Sequence, residues 1–406
     1  MKSTSYEYKN FSKFLLGILT LISIITFYNK QLFENNNSTY FIFSLVSYIL
    51  LLNFNQKNHI KIFYTIIIIS VYLMSIYLNG VLNASRSLPP YLAITSTFYM
   101  IGPIKNINFS NYDLDKIKNI INLILWIGFL QLLLYQIFAI LSPYYNFLYS
   151  TDEFYRESIS WISIIAFFIS VINIGRFEEL RGFYRFIMIY LLFFIPLCLF
   201  LNSSRSEILI CAILFLIGLY KVKKSYSLIF IPLAIVISIF SISSASLSRF
   251  EGAIDEIFNA DTLSSVAAYD NYRSYESSLQ IEKIESRGLF AAIGCGLGCA
   301  VKPDIILTLQ EKNYDEVSIF HNGLLTVIMQ FGIFGIFIIM YFIKSTWISF
   351  KKILNSRYII EIEFYSLAFA PLLVLTLTSF TTGGFMSLYD GLIMLLPFSV
   401  FAYARK

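Results

Sequence analysis

Charge is scarce in this chain. Asp, Glu, Lys and Arg make up only 14% of its 406 residues, against 57% hydrophobic and 18% aromatic. A water-soluble fold needs a far more polar surface, so the soluble classes are excluded. Histidine is scarcer still, with two, and there are four cysteines. These residues and the scattered carboxylates do not fall at metal-ligand spacing, and the acidic loop carries no DxD-type pair. No nucleophilic Ser/His/Asp signature is present. The sequence therefore predicts metal-independent chemistry with no cofactor. Repeats at a fixed period are absent, and the two halves do not mirror each other, which weakens a transporter built from inverted repeats. Basic residues are spread over short loops rather than gathered in a patch, so the net charge of +5 is no nucleic-acid signal. A cleavable leader is not expected, because the segment after Lys13 lacks a small-residue cleavage site and reads as a first span.

What is abundant is long apolar runs. Mean hydropathy is +0.70, and segments such as 62–78 are long enough for a hydrocarbon core of about 30 Å. The pattern predicts an all-α polytopic membrane protein with about twelve transmembrane helices. They fall near 14–28, 40–54, 62–79, 88–104, 118–141, 158–174, 186–201, 207–220, 226–243, 322–343, 364–380 and 386–403. Placing both termini in the cytoplasm puts 20 of the 30 Lys and Arg inside, including the run Lys221–Lys224 and the segment Lys344–Arg357. The short outer loops then carry only Lys30, Arg86, Arg156 and Arg205, as the positive-inside rule requires. One long polar stretch remains, from Ser244 to Phe320, with twelve of the 25 carboxylates and six basic residues. It is expected to be one large extracytoplasmic loop and the seat of the chemistry. The organisation expected is helices one to nine over 1–243, the loop over 244–320, and helices ten to twelve over 321–406.

Three outer arginines sit where a span meets the surface: Arg86 in LNASRSLPP, Arg156 in DEFYRES and Arg205 in LNSSRSEIL. A guanidinium stays charged at accessible pH and pairs with phosphate oxygens at two points. The plain alternative is a snorkelling or loop residue. Arg205 departs furthest from that alternative, because its connection between two spans is very short; Glu207 beside it is expected to hold its orientation. His321 closes the long loop in FHNGLL, with Asn322 next to it. It can act as a base toward a sugar hydroxyl or hydrogen-bond phosphate, or simply cap a helix. His59, in a cytoplasmic loop, reads as a solvated surface residue. Asp390 lies a few residues inside the last span, either facing a cavity or preceding a later helix start. Cys198 and Cys211 read as small apolar packing. Cys295 and Cys299 allow a disulfide in an oxidising compartment, although their close spacing makes a poor framework. The glycine run IGCGLGCA follows no strand of a βαβ unit and lacks a Lys-Ser/Thr partner, so it is not a nucleotide loop. A tight turn or a close backbone approach to substrate fits it better.

The order of these pieces resembles the Wzy-type O-antigen polymerase and O-antigen ligase superfamily. LNSSRSEILICAILFLIGLY is similar to that family's short outer "SR" connection, and DEFYRESISWISIIAFF to its Arg-containing loop and span entry, with Ile159 departing from the pattern. NYRSYESSLQIEKIESRGLFAAIGCGLG resembles its Arg-led amphipathic segment and G-x-G turn, and FHNGLLTVIMQFGIFG its His-Asn span opening. Together they cover about half the chain in the family's order. The resemblance implies a GT-C-like glycosyltransferase of the bacterial inner membrane, with its site at the periplasmic face. Its substrates would be repeat units on undecaprenyl pyrophosphate, within membrane lipid, and a chain-length regulator is an allowed partner. It carries His321, Arg205, Arg273 and Arg156 into the site, with Arg287 more loosely. Arg205 and Arg273 would neutralise the leaving pyrophosphate and His321 would activate or orient the acceptor hydroxyl. Polymerase, ligase and, in a different class, a polysaccharide flippase or other transporter are the readings the sequence leaves open.

Overall fold

The computed structural model describes residues 66, 69–81, 84–85, 88, 91, 109–141, 161–177, 179–180, 182–201, 205–222, 272–302, 307–309, 312–314 and 322–381. The expected spans near 14–28, 40–54, 226–243 and 386–403 lie outside these residues, as does that near 88–104 apart from 88 and 91, and so does His59. Nine helices are described here: α1 (Ile69–Val81), α2 (Leu114–Leu141), α3 (Trp161–Ile172), α4 (Gly182–Leu201), α5 (Arg205–Val222), α6 (Tyr272–Ser286), α7 (Gly323–Phe331), α8 (Ile333–Asn355) and α9 (Ile359–Thr381). One antiparallel hairpin, β1 (Leu307–Leu309) with β2 (Lys312–Tyr314), interrupts the helical pattern; Thr308 stands opposite Asn313. Stretches within α2, α4 and α9, together with all of α8, are long and apolar enough to cross a membrane. This is the architecture of an all-helical membrane protein.

The centre of the bundle is α3, which packs on α2, α4, α5 and α9. Its residues from Ile164 to Ile172 are buried throughout, and small residues let its neighbours approach. A Cβ on Gly128 of α2 would stand 2.6 Å from the Cβ of Ala166, and one on Gly218 of α5 would stand 2.4 Å from Val171 Cγ1. Close contact at glycine is the usual device where lipid removes the hydrophobic drive between helices. Aromatic pairs fill the α2–α4 seam, including Trp126 with Phe183 and Phe129 with Tyr190, each at 5.1 Å between ring centroids. Polar side chains inside the apolar helices satisfy themselves locally. Ser170, Ser366 and Thr378 each donate to the carbonyl four residues back, and Thr346 of α8 meets Thr376 of α9 at 3.2 Å.

One end of the bundle is tied by charged and polar groups. Lys221, in the last turn of α5, donates to the carbonyls of Leu354 (2.7 Å) and Ser356 (3.0 Å), satisfying oxygens that the end of α8 leaves open. Asn173, just past α3, donates to the buried carboxylate of Glu363 on α9 and to Ile169 O. Asp113 starts α2, its Oδ1 accepting from the amide of Asp115 at 3.1 Å. Desolvation pushes the Asp113 carboxyl up, but the amides of Lys116 and Asp115 and the Lys116 ammonium outweigh it and hold it below its ordinary 3.8. A carboxyl lowered on folding stabilises fully above that ordinary value and loses its contribution as pH falls through the lowered one. Asp113→Asn is therefore expected to flatten the small fall in melting temperature between about pH 5 and pH 3, read by thermal unfolding in detergent; an unchanged slope would remove Asp113 from the cap.

Five expected spans coincide with described helices within a few residues: those near 118–141, 158–174, 186–201, 207–220 and 364–380. The span near 322–343 is corrected. Gly332, at φ +58, divides it into α7 and α8. Moreover, α8 runs on through Lys344, Lys351 and Lys352 to Asn355, residues that read as a loop because of their charge. At about 1.5 Å per residue α8 alone is about 35 Å long, enough to cross without α7.

Candidate functional site

The helix α6 lies in the segment expected to form the long loop, and its sequence YRSYESSLQIEKIES is too polar to span a membrane. Its helical spacing puts Glu276, Leu279 and Gln280 on one buried face while Ser278, Glu282 and Glu285 face out. That face meets α7. Asn322 caps α7, its side-chain oxygen accepting from Leu325 N at 3.1 Å, and its Nδ2 donates to Ser277 Oγ of α6 at 3.4 Å. One turn further, Gln280 Nε2 donates to Thr326 Oγ1 at 2.7 Å, and Thr326 in turn donates to Asn322 O at 2.9 Å. Two polar rungs thus clamp α6 across the start of α7. Among the described residues, Gln280 Oε1 and Arg287 Nε are buried with no hydrogen-bond partner.

Replacing Thr326 by Val removes the acceptor of a buried amide and is expected to lower stability by about 1–3 kcal/mol. The check is thermal unfolding beside limited proteolysis. Cleavage within α6 at unchanged overall melting would show that the clamp holds only this helix, whereas no change in either would show that the rung carries nothing.

Past α6 the chain makes a 3-10 turn, Gly288–Ala292, and then the glycine run. Gly294, Gly296 and Gly298 have φ of +79, +82 and +76, a region glycine enters without strain. Cys295 and Cys299 are joined in a disulfide that closes the turn. The turn is fixed to two helices. Cys295 N and Gly296 N donate to Met329 O (2.9 Å) and Gln330 O (3.0 Å) of α7. Asn79 of α1 donates to the carbonyls of Cys295 and Leu297, both at 2.9 Å, and Ser75 accepts from Leu297 N at 2.9 Å. Leu297 enters the main core. Leu279, Cys295, Cys299, Val301 and Met329 form a second, smaller core beneath α6. The glycine run is a tight turn, as its sequence suggests, and the close approach it serves is to α1 and α7. Its amides at 295, 296 and 297 are spent on protein oxygens.

The sequence-derived candidates distribute as follows. Arg205 is the first residue of α5, separated by three residues from the end of α4 at Leu201, so the connection is as short as expected. Glu207 stands in the first turn of α5, where a carboxylate favours the helix dipole; positions two apart on a helix point to different sides. Arg273 lies in the first turn of α6, one turn before Ser277; of Arg205 and Arg273 the backbone alone is described. Arg287 directly follows α6, half-buried, and Asn322 caps α7. His321, Arg86, Arg156 and Asp390 lie outside the described residues. Sequence reasoning missed Ser75, Asn79, Gln280 and Thr326. The first two had a signal, a polar pair at i and i+4 within an apolar helix, which marks a polar partner for that face. No cluster of three or more His, Cys, Asp and Glu that could hold a metal ion occurs among the described residues. No family model matches this chain, and neither a curated protein nor a solved structure matches it.

Proposed function

We propose that this chain is a surface-polysaccharide polymerase of the Wzy type. It would transfer the growing glycan from undecaprenyl pyrophosphate to the terminal sugar of a new lipid-linked repeat unit. The reading rests on the ordered motifs of the sequence, and one structural observation carries it beyond them. The clamp of α6 on Asn322 brings the helix that starts at Tyr272–Arg273 to the residue directly after His321. Arg273 is one turn from Ser277 on the same helical face, which supports grouping it with the His-Asn segment that the motifs single out. Arg287, at the other end of α6, adds a buried donor atom without a partner.

The step would break the bond between the sugar C1 and the pyrophosphate oxygen and form one from C1 to the acceptor hydroxyl oxygen. His321 would take the hydroxyl proton, and the electron pair of the broken bond would stay on the departing pyrophosphate. Arginines already in place would stabilise that charge without reorganising. Arg205 fits such a role because a cation in the first turn of a helix opposes its dipole, so helix stability does not account for it.

In this reading the chain has about twelve spans in a GT-C-like arrangement in the bacterial inner membrane, with cytoplasmic termini and a periplasmic site. The Lys221 cluster and the Cys295–Cys299 turn sit at opposite ends of α8. That separation suits a basic cytoplasmic face and an oxidising outer one. The test is purified protein in nanodiscs supplied with undecaprenyl-pyrophosphate-linked repeat units. A ladder of lipid-linked oligomers without any other acceptor is the expected result. Product formed only on added lipid A-core would make the chain a ligase, and translocation without new glycosidic bonds a flippase.

A further inference from the structure

The turn that follows α6 exposes large apolar side chains that neither the packing nor the proposed chemistry uses. Leu289 is 95% exposed, Phe290 68% and Ile293 53%. They form one patch, outside every described helix that could cross a membrane. Such a patch on an extramembrane segment marks an interaction surface.

Its place in the fold names the partner. A Cβ on Gly332 would stand 2.3 Å from Ala292 O, and one on Gly294 would stand 2.4 Å from Gln330 O. The turn therefore lies in backbone contact with the junction at which α8 begins. Because α8 is long and apolar enough to cross a membrane by itself, Gly332 would stand at one membrane face. The first turns of α8 expose Phe334 and Phe337, the apolar side a spanning helix turns to lipid. The same turn is bonded to Asn79 near the end of α1, whose Tyr77 and Val81 are also exposed. The patch thus continues the exposed apolar surfaces of α1 and α8 beside the point where α8 begins.

We propose that the Leu289–Ile293 turn is an interfacial anchor that dips into the acyl boundary of the adjacent bilayer leaflet. By doing so it holds α6, and the clamp on α7, at a fixed height above the membrane. Apolar side chains at this boundary bind it through the apolar area they bury. The proposal is independent of the glycan chemistry and stands whichever reaction the chain performs.

Labelling isolates the turn cleanly. Cys198 and Cys211 are buried and Cys295 is bonded to Cys299, so an introduced cysteine is the one exposed thiol among the described residues. Leu289→Cys, Ile293→Cys and, as the aqueous reference, Ser278→Cys on the outer face of α6 would each carry a spin label. The protein is placed in phosphatidylethanolamine–phosphatidylglycerol nanodiscs holding one copy. Labels at 289 and 293 are expected to collide more with oxygen than with a water-soluble nickel chelate, with the order reversed at 278. Greater collision with the chelate at 289 and 293 would put the turn in water and overturn the proposal. Shielding from both reagents would mean that protein covers it, which overturns the proposal equally. Leu289 makes almost no packing contact, so its replacement leaves the fold intact.

Discussion

Arg205→Lys is expected to cut polymeric glycan about 100-fold while leaving the protein in the membrane at its normal level, the scale of losing one transition-state donor. Lysine preserves the charge but not the planar fork, so it offers a point contact where arginine offers two parallel bonds. The chain leaves little freedom at this position: α4 ends at Leu201, α5 begins at Arg205, and three residues join them. A flexible surface arginine would tolerate the change, and an exposed ion pair is worth only about 0–1 kcal/mol. Arg205→Ala should be no worse than Lys by more than a few-fold if bidentate geometry rather than charge alone is what matters. The readout is product length on a gel of surface glycan beside immunoblot of the protein. Near-normal polymer from the lysine variant would remove Arg205 from the site.

Gly332→Val is expected to be the most damaging single change to the fold. At φ +58 and ψ −132 the backbone occupies a region that side chains rarely adopt, and the added Cβ would meet the carbonyl oxygen of Ala292 at 2.3 Å. Backbone strain of about 1–3 kcal/mol and overpacking of about 1–3 kcal/mol add at one site. A domain stable by only about 5–15 kcal/mol has little margin for that sum. The relief available is separation of the glycine turn from α7, which would break the bonds from Cys295 N and Gly296 N. The paired control is Gly182→Val at the start of α4, where a Cβ meets nothing within 4 Å. Thermal unfolding in detergent should show a large drop for the first and little for the second. Equal behaviour would mean that the α7–α8 junction does not need glycine.

Much of the helix pattern was readable because each of α2, α3, α4, α5 and α9 is a single apolar run bounded by charge or by a break. The junction at Gly332 was not, since the residues on both sides are apolar and an averaged hydropathy passes over it. What demands glycine there is contact with Ala292, forty positions earlier, and no local pattern reports that. The amphipathic segment led by Arg273 was legible only through the family resemblance, and its partner was not legible at all. Gln280 and Thr326 lie 46 apart, joined only by the fold. The β1–β2 hairpin went unread although Leu307 and Leu309 alternate with Thr308 and Gln310, because three residues are too short a run to stand out in a polar segment. The disulfide was left open on spacing alone. Its pairing depends on two left-handed glycines, Gly296 and Gly298, that bring Cys295 and Cys299 to a Cα separation of 5.6 Å. Arg205 and Asn322 were legible as candidates because each stands at a helix start next to an apolar run.

The central claim is that this chain joins lipid-linked repeat units at the outer face with His321 in the site. Its most direct test is a gel of surface glycan from a strain lacking the gene, complemented with either the native chain or His321→Ala. The account predicts that the deletion leaves core bearing a single repeat unit, that the native chain restores the ladder, and that the variant does not. A normal ladder in the deletion strain would contradict it outright.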